Sequence, residues 1–303
     1  MKYNKRIIAY YQSQMSATWN DKNFSKSPSK PGLFMGECLK SGLSSHIELV
    51  ESFKPFKKSD FYLAHKEEYV NDFFEGKKPI CESNGLKWSE PFAQSIKLTN
   101  ASLYESILGS IANPENIYLS PTSGFHHAMP GMGRGFCTFS GQVIAALKIY
   151  NSYKLSGAFI DLDGHFGNSI EDSRVYCPNL NAAIPHEFNI NPEGKHLKYL
   201  ESLSDGLKTL EEALLKGEIH YVVYCHGADS HEDDDLGGQV NTKEWLYCTK
   251  LVTEMILKVN KKLSKRIPFT YCLFGGYRSD DYKAVIDLHC DDFNYCFTLL
   301  TES

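Results

Sequence analysis

Residues 140–165 read SGQVIAALKIYNSYKLSGAFIDLDGH. Ser140 to Tyr150 is apolar on nearly every side of a helix, which predicts a helix buried all round. Ala158 to Leu162 then forms a continuous apolar run of strand length, without polar alternation, that ends in acidic residues. A buried helix feeding a fully apolar strand belongs to a parallel sheet covered on both faces.

The same alternation extends outward. Downstream, Lys195 to Leu215 is an amphipathic helix, and Ile219 to Cys225 (IHYVVYC) is a β-branched and aromatic strand. Thr242 to Leu263 is a long helix started by a capping-box pair, Asn241 and Glu244, with Trp245, Cys248, Val252, Met255 and Val259 on one stripe. Phe269 to Phe274 is a further strand, closed by Gly275 and Gly276. Upstream, Ile117 to Leu119 and Arg6 to Tyr11 read as buried strands, and the Ser/Lys/Pro/Gly-rich stretch Asn23 to Gly32 as a surface loop. Helical spacing recurs at His46 to Phe53, Glu67 to Phe74 and Asn100 to Ile111. No repeat and no composition break divides the 303 residues. The expectation is an α/β chain, one domain over residues 1–303, with a mostly parallel multi-stranded sheet and helices on both faces.

Composition narrows the function class. With 42% hydrophobic and 23% charged residues the chain is an ordinary globular one, and a net charge of −5 predicts no direct nucleic-acid binding and no membrane binding driven by a basic face. Nine scattered cysteines, an odd number without a CxxC pair, read as buried thiols and predict a cytoplasmic protein.

In parallel sheets ligands bind at the carboxyl ends of the strands, so the residues there carry the functional reading. Period-two alternation puts Asp161 and Asp163 on one face, and Gly164 turns the chain so that His165 converges with them. Such a cluster suits a divalent metal. Asp229, in the acidic loop GADSHEDDD after Cys225, is the simplest partner: Asp163, His165 and Asp229 make a three-ligand site with an open position, the arrangement of a catalytic metal. His126 and His127, past the strand Ile117 to Leu119, are suited to proton transfer near neutral pH. Tyr277, after Gly275 and Gly276, can donate a hydrogen bond to developing negative charge on a substrate oxygen.

In order and approximate spacing, PTSGFHHA (121–128), Gly135-Phe136-Cys137, IDLDGHFGN (160–168), GADSHEDDDLGG (227–238) and FGGY (274–277) resemble the zinc-dependent histone deacetylase family, which includes acetylpolyamine amidohydrolases and has the arginase–deacetylase fold. The resemblance implies one catalytic Zn2+ held by Asp163, His165 and Asp229, and a structural K+ held by backbone carbonyls around Asp161 to His165. His126 and His127 match the tandem histidines, with Asp161 and Asn168 as their respective partners, and Tyr277 matches the carbonyl-polarising tyrosine. Gly135 and Phe136 match the substrate tunnel, Phe136 as one aromatic wall, and Leu236 stands where polyamine deacetylases carry a gatekeeping glutamate. The implied activity is hydrolysis of an acylated amine, either acyl-lysine or a small acylated amine.

Three departures qualify the substrate. Phe166 replaces a second histidine after the ligand histidine, and Arg278 follows the tyrosine where a small or amide residue is usual. The segment after Val175 is short and lacks the loop that carries the second aromatic wall. Two other readings remain open at this point. One is a binuclear manganese ureohydrolase using Asp161, Asp163, His165, Asp229, His231 and Asp234. The other is a catalytically weak metal-binding relative.

Overall fold

The fold is that of a computed structural model, which describes residues 1–17 and 23–302. Seven strands, β1 (Ile7–Tyr10), β2 (Ile47–Val50), β3 (Ile117–Ser120), β4 (Gly157–Asp161), β5 (Asn189–Ile190), β6 (Tyr221–His226) and β7 (Phe269–Leu273), form one sheet in the order β2-β1-β3-β7-β6-β4-β5. Every pairing is parallel. The connecting helices are α1 (Lys30–Cys38), α2 (Lys58–Phe61), α3 (Glu67–Phe74), α4 (Glu90–Ala112), α5 (Gly141–Tyr153), α6 (Asn168–Ser173), α7 (Leu180–Ala183), α8 (Leu197–Lys216), α9 (Thr242–Leu263) and α10 (Tyr282–Thr301).

Strand alternation sorts the core into two layers. Ala158, Ile160, Val222 and Tyr224 pack with α1, α8, α9 and α10 on one face. Phe159, Tyr221, Val223 and Cys225 pack with α3, α4, α5 and α7 on the other. Both faces of β4 and β6 are buried, which is why their sequences are apolar without interruption. The α9 capping box forms as expected: Glu244 N–H donates to Asn241 Oδ1 at 3.0 Å, and Asn241 N–H donates to Glu244 Oε2 at 3.0 Å.

Two local expectations are corrected. Residues 46–53 are not a helix; Ile47–Val50 is the edge strand β2, parallel to β1. Its period is two: Ile47 and Leu49 pack on the core, while Glu48 points outward and pairs with Arg6, just before the neighbouring strand. Residues 23–32 are not simply a surface loop either. They hold a 3-10 turn at Ser27–Ser29 and the start of α1, whose Lys30 is 1% exposed. α10, which had no expectation attached, closes the fold with Val285, Ile286, His289, Phe293, Cys296 and Leu300 buried at helical spacing.

The strand order has a direct consequence for the site. The four strand ends that carry chemistry belong to β3, β7, β6 and β4, which are consecutive neighbours in the sheet.

Candidate active site

β4 ends at Asp161, and the turn after it brings Asp163 and His165 toward Asp229, which follows β6. Ligand atoms of Asp163, His165 and Asp229 lie within 4.8 Å of one another. His165 Nδ1 is 3.2 Å from Asp163 Oδ1 and 2.9 Å from Asp229 Oδ2. Its other nitrogen, Nε2, donates to the Leu236 carbonyl at 3.1 Å, which fixes the ring with Nδ1 facing the carboxylates. Backbone N–H groups orient the acids: Gly164 donates to Asp229 Oδ1 at 3.0 Å and Gly275 to Asp163 Oδ2 at 2.8 Å. Gly275 approaches so closely that a Cβ there would collide with the Asp229 carboxylate.

The electrostatics call for a cation. Burial, then the neighbouring Asp163, pushes the Asp229 carboxyl up to about 8. Hydrogen bonds to Asp163 and Asp229 push His165 up to about 11. Two buried carboxylates on one imidazole nitrogen are thus short of positive charge, and a divalent ion among these N and O donors supplies it. The donor set fits zinc in an open, three-ligand site.

His126 and His127 follow β3, with ring centroids 4.0 Å apart. They have different partners. His126 Nδ1 is 3.0 Å from Asp161 Oδ2. Burial disfavours its charge, but Asp163 and Asp161 outweigh burial and push it up to about 9. His127 Nδ1 is 2.7 Å from Asn168 Oδ1, and Asn168 Nδ2 donates to Asp172 Oδ2 at 2.5 Å, which sets the amide orientation. Burial, then the charge of His126, lowers His127 to about 4. His127 is therefore a neutral imidazole that donates through Nδ1 and presents Nε2 as an acceptor.

Tyr277 is held from its backbone: its N–H donates to Asp234 Oδ2 at 2.6 Å, and Asp234 Oδ1 accepts from Leu236 N–H at 3.0 Å. Its ring is 6.4 Å from that of His165. Burial, then Asp163 and Asp229, raises its hydroxyl well above the ordinary phenol range, so it remains a donor. The rest of the acidic run ties the same two loops together. Asp235 accepts from Ser279 N–H at 2.8 Å, and Asp233 lies 3.8 Å from Arg278, whose guanidinium also pairs with Asp280 at 2.9 Å.

The remaining expected residues have distinct places. Gly135 adopts φ +52°, and a Cβ there would sit 2.7 Å from the His127 ring, so glycine permits both the turn and the close approach. Phe136 (φ +61°) lies beside the site with its ring 5.4 Å from Tyr277. Leu236 is exposed at the rim and contributes its carbonyl to His165. Phe166 is exposed next to His165. His231 and Asp234 do not join a metal group among the described residues: His231 Nε2 bonds Thr242 Oγ1 at 2.8 Å, and Asp234 caps Tyr277.

Sequence reasoning missed Lys30. From α1 its Nζ donates to the carbonyls of Phe274 and, at 2.9 Å, Gly275, bracing the glycine turn from below. Burial lowers it to about 8, against the pull of Asp229 and Asp163. A lysine in a Ser/Lys/Pro/Gly-rich stretch carries no local sign of such a role. Phe24 was missed as well; its ring stacks on Phe136 and Tyr277.

Residues 27–196 match the model of the histone deacetylase domain. An uncharacterized protein of Picosynechococcus sp. is 26% identical over 238 residues, 74% of this chain and 77% of that protein. Histone deacetylase 10, chloroplastic, of Oryza sativa subsp. japonica is 23% identical over 197 residues, 60% of this chain but 44% of that protein. The crystal structure of the HDA15 HD domain superposes with a TM-score of 0.74 at 14% identity, covering 98% of this chain and 88% of that one.

Proposed function

This chain belongs to the histone deacetylase family, and on that premise we propose that it is a zinc-dependent deacylase that hydrolyses the amide of an acylated amine, either acyl-lysine or a small acylated amine. The observation that carries the reading is the convergence of Asp163, His165 and Asp229, with the His127 and Tyr277 rings 5.9 and 6.4 Å from that of His165.

Asp163, His165 and Asp229 would hold the zinc, which when bound supplies Lewis acidity to the amide carbonyl and lowers the pKa of a water. His127 Nε2 accepts a proton from the attacking water, because its Nδ1 is already committed to Asn168. The same nitrogen returns a proton to the amine as the C–N bond breaks. His126, paired with Asp161, contributes positive charge rather than proton transfer. Tyr277 O–H donates to the carbonyl oxygen as negative charge develops there. Lys30 and Asp234 hold the turn that carries Tyr277. A potassium held by carbonyls of the turn after β4 remains part of the reading on resemblance alone, as does action of all 303 residues as one catalytic domain. A cytoplasmic setting fits nine cysteines that are all free thiols.

The test is reconstitution of metal-free protein. One zinc per chain should bind and release free amine from an acetyl-lysine peptide or a small N-acetyl amine. Binding of two manganese ions with hydrolysis of a guanidine would overturn the reading.

A further inference from the structure

Helices α1 and α10 lie against each other, and their contact brings two thiols together. Phe34 of α1 sets the register: its ring packs edge-on to His289 at 6.5 Å and 87°, and meets Phe293 at 5.9 Å and 63°. Cys38 stands one turn beyond Phe34, and Cys290 is next to His289. The Cys38 thiol hydrogen-bonds the Cys290 sulfur, and that bond, followed by burial, holds the Cys38 thiol well above the usual thiol range.

Access to solvent separates this pair from the other cysteines. Eight of the nine are buried, whereas Cys290 packs against the core cluster that contains Cys38 and is only half-buried. Cys225 and Cys272 are also neighbours, in register on β6 and β7, but both are fully buried and out of reach of an oxidant.

The two helices also share a carbonyl. From the first turn of α1, Lys30 Nζ donates to the Gly275 carbonyl at 2.9 Å, and from α10 His289 Nε2 donates to it at 3.3 Å. The Ala228 N–H, at 3.0 Å, is a third donor to the same oxygen. Gly275 opens the turn that leads to Tyr277, so a covalent link between Cys38 and Cys290 ties together two of the arms that hold this turn. Because the thiols already meet, the link closes within the existing packing.

We propose that Cys38 and Cys290 form a reversible modification site, oxidised by a hydroperoxide to a disulfide that staples α1 to α10. Cys290, which solvent reaches, attacks the peroxide as a thiolate: the S–O bond forms, the O–O bond breaks, and the departing hydroxide takes up a proton to become water. Cys38 then attacks the Cys290 sulfur: the S–S bond forms, the S–O bond breaks, and the hydroxyl leaves as water with the proton of the Cys38 thiol. The two thiols lose two electrons and the peroxide gains them. A small thiol reverses the link by exchange. Both cysteines lie outside the catalytic groups, and the site is independent of the deacylase reading.

The test treats the full-length protein with a small excess of hydrogen peroxide, blocks the remaining thiols by alkylation and maps the digest by mass spectrometry. The intact mass should fall by about 2 Da, and a cross-linked Cys38–Cys290 peptide should be the main disulfide. The thermal midpoint should rise by about 5 °C, because the link closes a long loop, and should return on addition of dithiothreitol. Cys290→Ala protein should gain neither the disulfide nor the rise. Recovery of Cys290 as a free thiol or as a sulfinic acid overturns the proposal, as does a main disulfide through any other cysteine. An oxidised midpoint that is unchanged or lower, or the same rise in Cys290→Ala, overturns it equally.

Discussion

Adjacent histidines in this chain are divided by a single difference in their partners. His126 faces the carboxylate of Asp161 and is pushed toward the charged form, whereas His127 faces the neutral amide of Asn168 and stays uncharged. The partners were legible only through the family resemblance, because Asp161 ends β4 and Asn168 opens α6, far along the chain from the two histidines. A third histidine shows the limit of that legibility. His65 is fully buried, with Nδ1 donating to the Met129 carbonyl at 2.9 Å and Nε2 accepting from Ser140 N–H at 2.8 Å, so the fold requires its neutral form. Burial lowers it to about 4, below the unfolded value. Its contribution is complete above that unfolded value, near pH 6.5, and is lost as the pH falls toward 4, to a total of about 3 kcal/mol. Urea unfolding at pH 7.5 and 4.5 should therefore show a larger acid loss in the unaltered protein than in His65→Gln, whose amide can supply both bonds without titrating. Equal losses would remove His65 from the account.

At the level of elements, the placement of Tyr277 depends on two loops bound to each other. Asp234, after β6, accepts the Tyr277 N–H after β7, and Asp235 accepts Ser279. The acidic run reads locally as solvated charge or spare metal ligands, and only the contact between neighbouring strand ends gives it this positioning role. Asp234→Ala should lower kcat by about ten- to hundred-fold while zinc content stays at one per chain. Retention of full kcat would mean that the loop holds its shape without that carboxylate. β2 was obscured for a related reason: His46, Leu49, Val50 and Phe53 fall at helical spacing, and pairing with β1, which decides the matter, is a long-range event.

Over the whole molecule, the alternation of buried helix and apolar strand made the parallel sheet legible, but nothing in the chain order says that β7 inserts between β3 and β6. That insertion sets the Gly275 turn against Asp163 and Asp229 and brings Tyr277 within reach of residues more than one hundred positions earlier. Lys30 and Phe24 reach the same centre from the other end of the chain, which is why a stretch read as a surface loop contains two residues of the site. The proposed mechanism makes one demand: a hydroxyl on Tyr277 that donates to the substrate oxygen while Asp163, His165 and Asp229 hold the zinc independently of it. The most direct test is the zinc-loaded Tyr277→Phe protein acting on an acetylated amine. Its kcat should fall by about 10²- to 10³-fold with one zinc per chain retained. Turnover equal to that of the unaltered protein would contradict the account.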